Sequence, residues 1–512
     1  MLSRIISAAT LGVDAYTVEV EADIQQQLPA FVTVGLPDGA VRESKERVTS
    51  AIKNSDFVFP SKKVTINLAP ADVKKEGSAF DLPIAVGILS ATGQILRDHC
   101  DEFVMLGELS LDGAIRPVPG VLPMAMSFAG NNGLKGMIVA RDNAKEAAIA
   151  STLPVYPVSS LQEAVHFLED ESRVKPFEVD IRSVFKRAHR HVIDFADVKG
   201  QESGKRALEV AAAGGHNIIL IGPPGSGKTM LARRTPTILP DMSLKEALET
   251  TKIHSVAGRL PTDSALIATR PFRSPHHSIS YAGLVGGGAI PKPGEVSLAH
   301  HGVLFLDELP EFKKDILEML RQPMEDNQVT ISRAATTLTY PAGFMLIAAM
   351  NPCPCGYYGD PSNECTCSAS EIQRYMSRIS GPLMDRIDIH ISIPSVKFKE
   401  LSGECRGEKS ELIVDRVNNA RQAQIKRFED EEKIFCNAHM ESRDIRKYCV
   451  IDDKSQSLLS MAISRQGLSA RAYDRILKVS RTIADLAGLE KIDMSHVAEA
   501  IHYRTLDRQL WN

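Results

Sequence analysis

One loop of the chain has the residue types and spacing that suit the binding of a phosphate group. Residues 222–229 fit the pattern G-x-x-x-x-G-K-T without departure; they are Gly222, Pro223, Pro224, Gly225, Ser226, Gly227, Lys228 and Thr229. Glycines let backbone N–H groups turn toward phosphate oxygens, the lysine reaches the β- and γ-phosphates, and the threonine hydroxyl binds Mg²⁺. An apolar strand pattern precedes this loop and a helical pattern follows it, which a chance Gly-rich turn does not require. The loop therefore predicts a site for ATP and Mg²⁺.

Two acidic residues farther along the chain supply what such a site needs to hydrolyse its nucleotide. Asp307 and Glu308 follow the apolar run 303–306, which is typical of a buried parallel strand. We predict that Asp307 holds the Mg²⁺ shell with Thr229, and that Glu308 orients and deprotonates the attacking water. An acidic pair after a strand is often only a solvated strand end. Downstream of a complete phosphate loop, the glutamate favours hydrolysis over nucleotide binding alone.

Asn351 follows a third apolar strand pattern, at residues 344–349. An Asn-Pro pair after a strand is most often a turn. In the context of the two motifs above, we predict that Asn351 sits beside the γ-phosphate and helps to position water.

Half of the cysteines are clustered directly after Asn351. The chain has eight cysteines, and four of them, Cys353, Cys355, Cys365 and Cys367, lie within 15 residues. Four thiolates can hold Zn²⁺ tetrahedrally, although a Cys-x-Cys spacing departs from the common C-x₂-C pattern. We predict a structural Zn²⁺ here; four reduced thiols or a redox pair are the alternatives.

Bulk composition sets the frame for these sites. The chain has 512 residues, 43% of them hydrophobic, and a formal net charge of -4. A chain of this length is expected to form two or three domains, and its charge does not by itself announce a nucleic-acid partner. Since no apolar run approaches the ~18 residues that span a bilayer, and no signal peptide is evident, we expect a cytoplasmic protein without a membrane partner.

The strand and helix patterns predict an α/β protein with four regions. Residues 1–170 interleave strands and helices and form an α/β or α+β domain, and the charged residues 171–193 form a linker. Residues 194–394 carry the buried strands of a parallel sheet with helices on both faces. Residues 395–512 read as helical throughout, with helices expected at 411–428, 454–465, 470–487 and 494–503.

Further segments resemble the AAA+ ATPases. Residues 194–201 look like the segment that borders the adenine in that superfamily, and residues 383–386 resemble the one that carries the arginine finger. The resemblance implies that Arg386 reaches the γ-phosphate of a neighbouring subunit. Residues 468–471 resemble the second sensor of the helical lid, which implies that Arg471 touches bound nucleotide.

Four more segments narrow the resemblance to the ComM/YifB family, the magnesium-chelatase-like AAA+ proteins of bacteria. They are residues 273–277 (RSPHH), 285–288 (VGGG), 291–300 and 351–356 (NPCPCG). The resemblance implies a homo-oligomeric hexameric ring that moves on single-stranded or branched DNA. It implies branch migration in homologous recombination during natural transformation, with recombination proteins as further partners. A magnesium-chelatase motor subunit and an ATP-driven protein remodeller are the alternatives.

Two segments of the ATPase region suit contact with DNA. The Gly-, Pro-, His- and Lys-rich insertion before the acidic strand suits a loop in a central pore. Residues 328–340 read as a hairpin in which Arg333 can face a phosphate backbone. An ordinary surface loop and a structural hairpin are equally consistent with these two patterns.

The first region resembles the Lon-protease-like domain with the ribosomal-protein-S5-type fold. Residues 74–83 look like its serine loop, which contains Ser78, and residues 106–113 match a neighbouring stretch. A serine nucleophile of this kind needs a lysine as its base, but the matching position is Leu122. We therefore expect no peptidase activity, and a DNA-binding or ring-organising role. The same resemblance argues against a chelatase subunit, since chelatase motor subunits are expected to lack such a domain.

Overall fold

The computed structural model of the chain describes residues 2–95, 99–131, 133–150, 152–188, 192–261, 266–288, 291–333, 336–396, 407–431, 434–466 and 469–506. Internal contacts divide the chain into two compact units. The first comprises Met1–Ala188, Leu244–Ala268 and Ala334–Tyr340, and the second comprises His189–Ser243, Thr269–Arg333 and Pro341–Asn512.

A seven-stranded mixed sheet forms the frame of the first unit. Its strands are ordered Ala30–Val34, Lys63–Ala69, Asp14–Gln25, Leu2–Leu11, Phe103–Leu106, Gly136–Ala140 and Val155–Val158. Asp14–Gln25 runs antiparallel to both of its neighbours, and the other pairings are parallel. Alternate residues of Asp14–Gln25 are buried, as expected for a strand with one face against a core.

The first unit also contains several helices. They are Gly39–Asn54, Asp81–Ala91, Val121–Ser127, Ala144–Ala150, Leu161–Glu169 and Ile181–Ala188. The helix Asp81–Ala91 is apolar all round and nearly every residue of it is buried, which is what a helix inside a core requires. A short hairpin pairs Glu108–Leu109 with Ile115–Arg116.

A helix that follows the phosphate loop in sequence, Leu244–Val256, also belongs to the first unit. Ser255 in this helix donates a hydrogen bond from its hydroxyl to the buried carboxylate of Glu146. The N–H of Leu122 donates to the same carboxylate at 2.9 Å, and the N–H of Gly120 donates to the carbonyl of Ser255 at 3.2 Å. Burial raises the pKa of Glu146, whereas the hydrogen bonds from Ser255 and Leu122 lower it. The chain thus returns to the first unit after it has entered the second.

The second unit contains a five-stranded sheet in which every pairing is parallel. Its order is Phe272–Arg273, Val303–Leu306 (the acidic strand), Met345–Met350 (the asparagine strand), Ile218–Ile221 (the phosphate strand) and Ile389–Ser392. Every residue of the three central strands is buried, because helices cover both faces of such a sheet.

The rest of the second unit is mostly helical. Its helices are Glu202–Gly214, Lys228–Arg234, Tyr281–Leu284, Glu295–Leu298, Lys314–Glu318, Arg321–Asp326, Ala369–Met376, Gly381–Met384, Ser410–Arg427, Ser442–Tyr448, Asp453–Gln466, Ala470–Leu486 and Met494–His502. Its smaller strands are Gly286–Gly287, Lys292–Pro293 and Gln328–Arg333, and Thr336–Pro341 lies in the first unit up to Tyr340.

The predicted fold class is confirmed, and three local features differ from the expectation. The segment expected as a linker contains the helix Ile181–Ala188, and the helical region contains the additional helix Ser442–Tyr448. The strand Leu2–Leu11 was not expected, because its buried residues include Ser7 and alanines and so give a weak hydrophobic pattern. No apolar stretch of membrane-spanning length occurs in the helices that the structure describes.

Candidate nucleotide site

Three neighbouring strands bring the predicted polar residues to one edge of the second unit's sheet. Gly222 follows the phosphate strand, Asp307 the acidic strand and Asn351 the asparagine strand. Because these strands are parallel, their carboxyl ends meet at the same edge, where ligands of open α/β sheets bind.

Lys228 is the first residue of the helix Lys228–Arg234, and its ammonium group joins the parts of the site. It donates hydrogen bonds to the carbonyl oxygens of Gly222 at 2.7 Å and Pro223 at 2.9 Å. A third bond, at 3.2 Å, goes to the amide oxygen of Asn351. Lys228 therefore lies between the phosphate loop and the end of the asparagine strand.

The electrostatics of Lys228 follow from its burial. Burial lowers the pKa of Lys228 to about 8, and the carboxylate of Asp307 works in the opposite direction. The hydroxyl of Thr229 donates to Asp307 at 2.8 Å. A hydroxyl at the start of a helix and a carboxylate at the end of a strand are oxygen ligands that Mg²⁺ takes in such sites, so this pair fits the predicted metal.

Glu308 has an exposed carboxylate on a constrained backbone. Its φ is 52°, in the left-handed region that non-glycine residues rarely adopt. Its side chain is 63% exposed and lies 3.6 Å from Nδ1 of His277. A left-handed residue at the end of a buried strand is a feature that often accompanies functional sites.

A cavity of about 400 Å³ opens beside these residues. Glu308 and Asn351 line it, together with Tyr375 and Arg378 among others. Burial raises the pKa of Tyr375 to about 12. Arg378 forms an ion pair with Glu311 at 3.0 Å.

Arg386, the predicted finger, is buried and paired within its own chain. It is 5% exposed, and its guanidinium binds the carboxylate of Glu325 at 2.5 Å and the carbonyl of Pro382 at 2.6 Å. The Nε–H group of Arg386 is buried and has no hydrogen-bond partner among the described residues. Within the part of the chain that the structure describes, no hydrogen bond or ion pair joins Arg386 to the phosphate loop.

Arg471 and Arg475 lie in the helix Ala470–Leu486, near the same glutamate. Arg471 is exposed, whereas Leu468 of its motif lies outside the described residues. The pKa of Glu325 is lowered first by its hydrogen bond to Arg386, and also by the charges of Arg471 and Arg475. The predicted finger and the predicted second sensor thus share one acidic neighbour.

Arg475 anchors this helix to the sheet through Asp388. The two side chains form an ion pair, and Asp388 also accepts a hydrogen bond from the N–H of Asn217 at 3.2 Å. Burial opposes ionisation of Asp388, but Arg475 and then His216 hold its pKa far below the usual range. This ion pair, whose carboxylate is buried, fixes the helix that carries Arg471 to the sheet.

The segment predicted to border the adenine is tied to the phosphate loop by Gln201. The side-chain amide of Gln201 donates to the carbonyls of Ser226 at 2.9 Å and Pro394 at 2.6 Å. Its amide oxygen is buried and has no hydrogen-bond partner in the part of the chain that the structure describes, and its φ is 60°. This leaves an acceptor next to the phosphate loop.

The four clustered cysteines meet in space. Their ligand atoms all lie within 4.8 Å of one another. The Sγ of Cys353 lies 3.3 Å from that of Cys355 and 3.7 Å from that of Cys365, and none of the three is in a disulfide.

The serine predicted as a residual nucleophile has an acid as its partner. In the first unit the hydroxyl of Ser78 donates to the carboxylate of Glu108. Leu122, at the position of the expected base, is fully buried. The carboxylate of Glu108 accepts a hydrogen bond from the serine hydroxyl. A serine–lysine dyad instead uses a lysine amine to take the hydroxyl proton, and the expected position of that lysine holds a leucine.

Some residues of the site carried little signal in the sequence. His277, Tyr375 and Gln201 were not predicted as site residues, although the first and last lie in motifs that resembled the family. Tyr375 comes from the helix Ala369–Met376 after the cysteine loop, and only the fold brings it to Asn351. Arg333 could not be placed, because its side chain lies outside the described residues.

Three family models match consecutive parts of the chain. They are described as magnesium chelatase subunit ChlI (residues 194–401), subunit ChlI of Mg-chelatase (residues 20–143) and the ChlI C-terminal region (residues 407–504). Because a ChlI model also matches the first region, this region alone does not argue against a chelatase subunit.

Part of the first region is also similar to a protease. Lon protease 2 of Bacillus subtilis is 33% identical over 150 residues, which cover 27% of this chain and 26% of that protein. This agrees with the resemblance of the serine loop.

Two bacterial proteins match over nearly the whole chain. Competence protein ComM of Haemophilus influenzae is 44% identical, and the protein YifB of Escherichia coli is 46% identical. Each alignment covers 99% of this chain and 98% of the relative. The chain belongs to the ComM/YifB family of magnesium-chelatase-like AAA+ proteins.

Proposed function

We propose that this protein is an ATPase motor that forms a hexameric ring and moves on single-stranded or branched DNA. One observation carries the proposal: Lys228, Thr229, Asp307 and Asn351 meet at one sheet edge, in a chain similar over its full length to a competence protein. The proposed cofactors are ATP as fuel, Mg²⁺ and a structural Zn²⁺, and the proposed location is the cytoplasm.

The residues at this edge of the sheet have separate roles in ATP hydrolysis. The ammonium group of Lys228 neutralises charge on the β- and γ-phosphates, and it exchanges its bonds with loop carbonyls for bonds with phosphate oxygens. Thr229 and Asp307 hold Mg²⁺, which neutralises charge on the phosphates when bound. Glu308 accepts a proton from the attacking water, and Asn351 orients that water.

Arg386 completes the site of a neighbouring subunit in this proposal. Since Arg386 is paired with Glu325 in the single chain, ring assembly has to exchange this pair for contact with the neighbour's nucleotide. A single subunit is then expected to bind ATP and hydrolyse it poorly, so the rate per subunit rises with protein concentration.

A substitution tests this role of Arg386. We expect Arg386→Ala to retain ATP binding and to lower turnover by about 10³-fold, the scale of arginine fingers. Arg443→Ala is the matched control, since this guanidinium is 73% exposed. Unchanged turnover in Arg386→Ala would remove the finger from the mechanism, and circular dichroism shows whether the fold is intact.

The proposal assigns a role to each of the four regions of the chain. Residues 194–394 form the motor core and residues 395–512 the lid, joined through 171–193 to a first region, 1–170, that organises the ring or binds DNA without peptidase activity. The proposed process is branch migration in homologous recombination during natural transformation, in which recombination proteins are partners.

DNA dependence of hydrolysis tests the motor. ATP hydrolysis is measured without DNA, with single-stranded DNA and with a four-way junction, and migration of the junction is followed on gels. We expect stimulation and migration by the wild type and neither by Lys228→Ala. A wild type that hydrolyses ATP but neither binds DNA nor moves the junction contradicts the motor and leaves the ATPase standing.

The family matches favour one other candidate. Three models describe chelatase subunits, so a motor for metal insertion into a porphyrin is the second hypothesis. Hydrolysis that responds to a porphyrin and its partner subunits, and not to DNA, would favour it. An ATP-driven protein remodeller predicts stimulation by an unfolded protein in the same assay.

A further inference from the structure

The loop that follows Asn351 brings four sulfur atoms together in a geometry that suits a tetrahedral metal. Zn–S bonds of ~2.3 Å in a tetrahedron place the sulfurs ~3.8 Å apart. The observed separations are 3.3 Å for Cys353–Cys355, 3.7 Å for Cys353–Cys365 and 3.6 Å for Cys355–Cys365. A disulfide needs an S–S distance of ~2.05 Å, so these sulfurs are not placed as bonded pairs.

Backbone donors around the sulfurs match metal-bound thiolates. The Sγ of Cys353 accepts N–H bonds from Gly356 at 3.2 Å and from Tyr358 at 3.3 Å. The Sγ of Cys367 accepts one from the N–H of Cys355 at 3.3 Å. Such bonds orient metal ligands and favour their charged form. Cys353 is fully buried and the other three sulfur-bearing residues are partly buried, which suits a closed structural site.

The cysteine loop also touches the phosphate loop. Gly356 has a φ of 88°, and a Cβ atom added to it would lie 2.5 Å from Cδ of Pro224. Only a glycine therefore allows the two loops to approach this closely. Pro354, between the first two cysteines, lines the same cavity as Glu308 and Asn351.

We propose that the four cysteines bind one Zn²⁺, and that this zinc site holds Asn351 and the phosphate loop in position. Asn351 lies two residues before the first ligand, and Pro224 rests against the residue after the second. The zinc site is independent of the proposed motor function, whereas its effect on hydrolysis rests on the proposed ATPase. The cysteines are positioning residues in this scheme, because they act through Asn351 and Pro224.

The first test is metal content, which needs no ATPase activity. Full-length protein is expressed without added zinc, and its metals and free thiols are counted. We expect about one zinc per chain in the wild type and in Cys449→Ala, a buried cysteine outside the cluster. Cys365→Ser is expected to lose zinc, and Cys365→His to retain it, because imidazole is also a zinc ligand. Folded wild type that stays without zinc after zinc addition, or that contains iron or a disulfide instead, would overturn the site.

The second test is the coupling to the nucleotide site. Removal of zinc by a chelator, and Cys365→Ser, are expected to lower turnover by about 10- to 100-fold, the cost of misplacing catalytic groups. Turnover is expected to return with zinc in the wild type and to be intact in Cys449→Ala and Cys365→His. Affinity for a fluorescent ATP analogue separates the proposals: no binding by zinc-loaded wild type contradicts the nucleotide site. Zinc loss that leaves both affinity and turnover unchanged, with melting curves showing a folded sheet, contradicts the coupling alone.

Discussion

The two units of this protein each contain a loop whose sequence resembles a functional loop, but only the loop of the second unit contacts the partner residues that its motif predicts. In the second unit, Lys228 contacts Asn351, and Thr229 contacts Asp307. In the first unit, the hydroxyl of Ser78 donates to the carboxylate of Glu108, and the buried Leu122 stands at the position where the resemblance predicts a base. The comparison teaches that a motif predicts chemistry only when the residues that complete it are present and in contact.

The largest expected effect on ATP hydrolysis comes from removing the charged lysine of the phosphate loop. Lys228→Ala is expected to weaken ATP binding and to lower hydrolysis by about 10²-fold or more, because this buried ammonium neutralises phosphate charge. Lys313→Ala, an exposed lysine of the same unit, is the control. The comparison fails if hydrolysis by Lys228→Ala matches that of the control in a coupled ATPase assay.

Removal of the proposed base separates binding from chemistry. Glu308→Gln keeps the size of the side chain and abolishes proton acceptance, so turnover is expected to fall by about 10²- to 10⁴-fold. ATP affinity is expected to stay near that of the wild type, as measured by calorimetry. Glu364→Gln, at an exposed position in the cysteine loop, controls for charge loss. A loss of both ATP affinity and turnover would mean that Glu308 takes part in ATP binding.

The pKa of Lys228 predicts a pH dependence of binding. Since burial lowers it to about 8, the free protein loses this proton as the pH rises through 8, whereas phosphates favour the charged lysine. ATP affinity is therefore expected to fall by about tenfold per pH unit above 8, with uptake of a proton on binding. Calorimetry at pH 9 in buffers of different ionisation enthalpy measures this uptake. Lys228→Arg stays charged, so it should take up no proton; uptake by this variant would assign the titration to another group.

The smallest effect is expected at the incomplete loop. Ser78→Ala removes one hydrogen bond to a carboxylate, so stability is expected to fall by about 1 kcal/mol. ATP hydrolysis is expected to be unchanged, and wild type and variant alike should leave a casein substrate intact. Cleavage by the wild type that Ser78→Ala abolishes would show that another residue replaces the lysine, and would end the contrast between the two loops.

The sequence predicted the sheet edge better than the contacts around it. A phosphate loop and two strand ends are local patterns, so Lys228, Asp307 and Asn351 were assigned without a structure, and the fold brings them together. Tyr375 and His277 could not be assigned in this way, because only tertiary packing brings Tyr375 to the cavity and His277 to Glu308. The pairing of Arg386 with Glu325 was equally unpredictable, since an ion pair between residues far apart in the sequence leaves no periodic pattern.

The helix Leu244–Val256 decides how this protein can be divided. A fragment that ends at residue 188 lacks Ser255, so the buried carboxylate of Glu146 loses a hydrogen-bond donor. The surface that the helix covers also becomes exposed to solvent. A fragment that starts at residue 189 contains the same helix without the residues of the first unit against which it packs. Limited proteolysis is thus expected to yield no stable half that begins or ends near residue 188, and a transplant of either half has to take this helix into account.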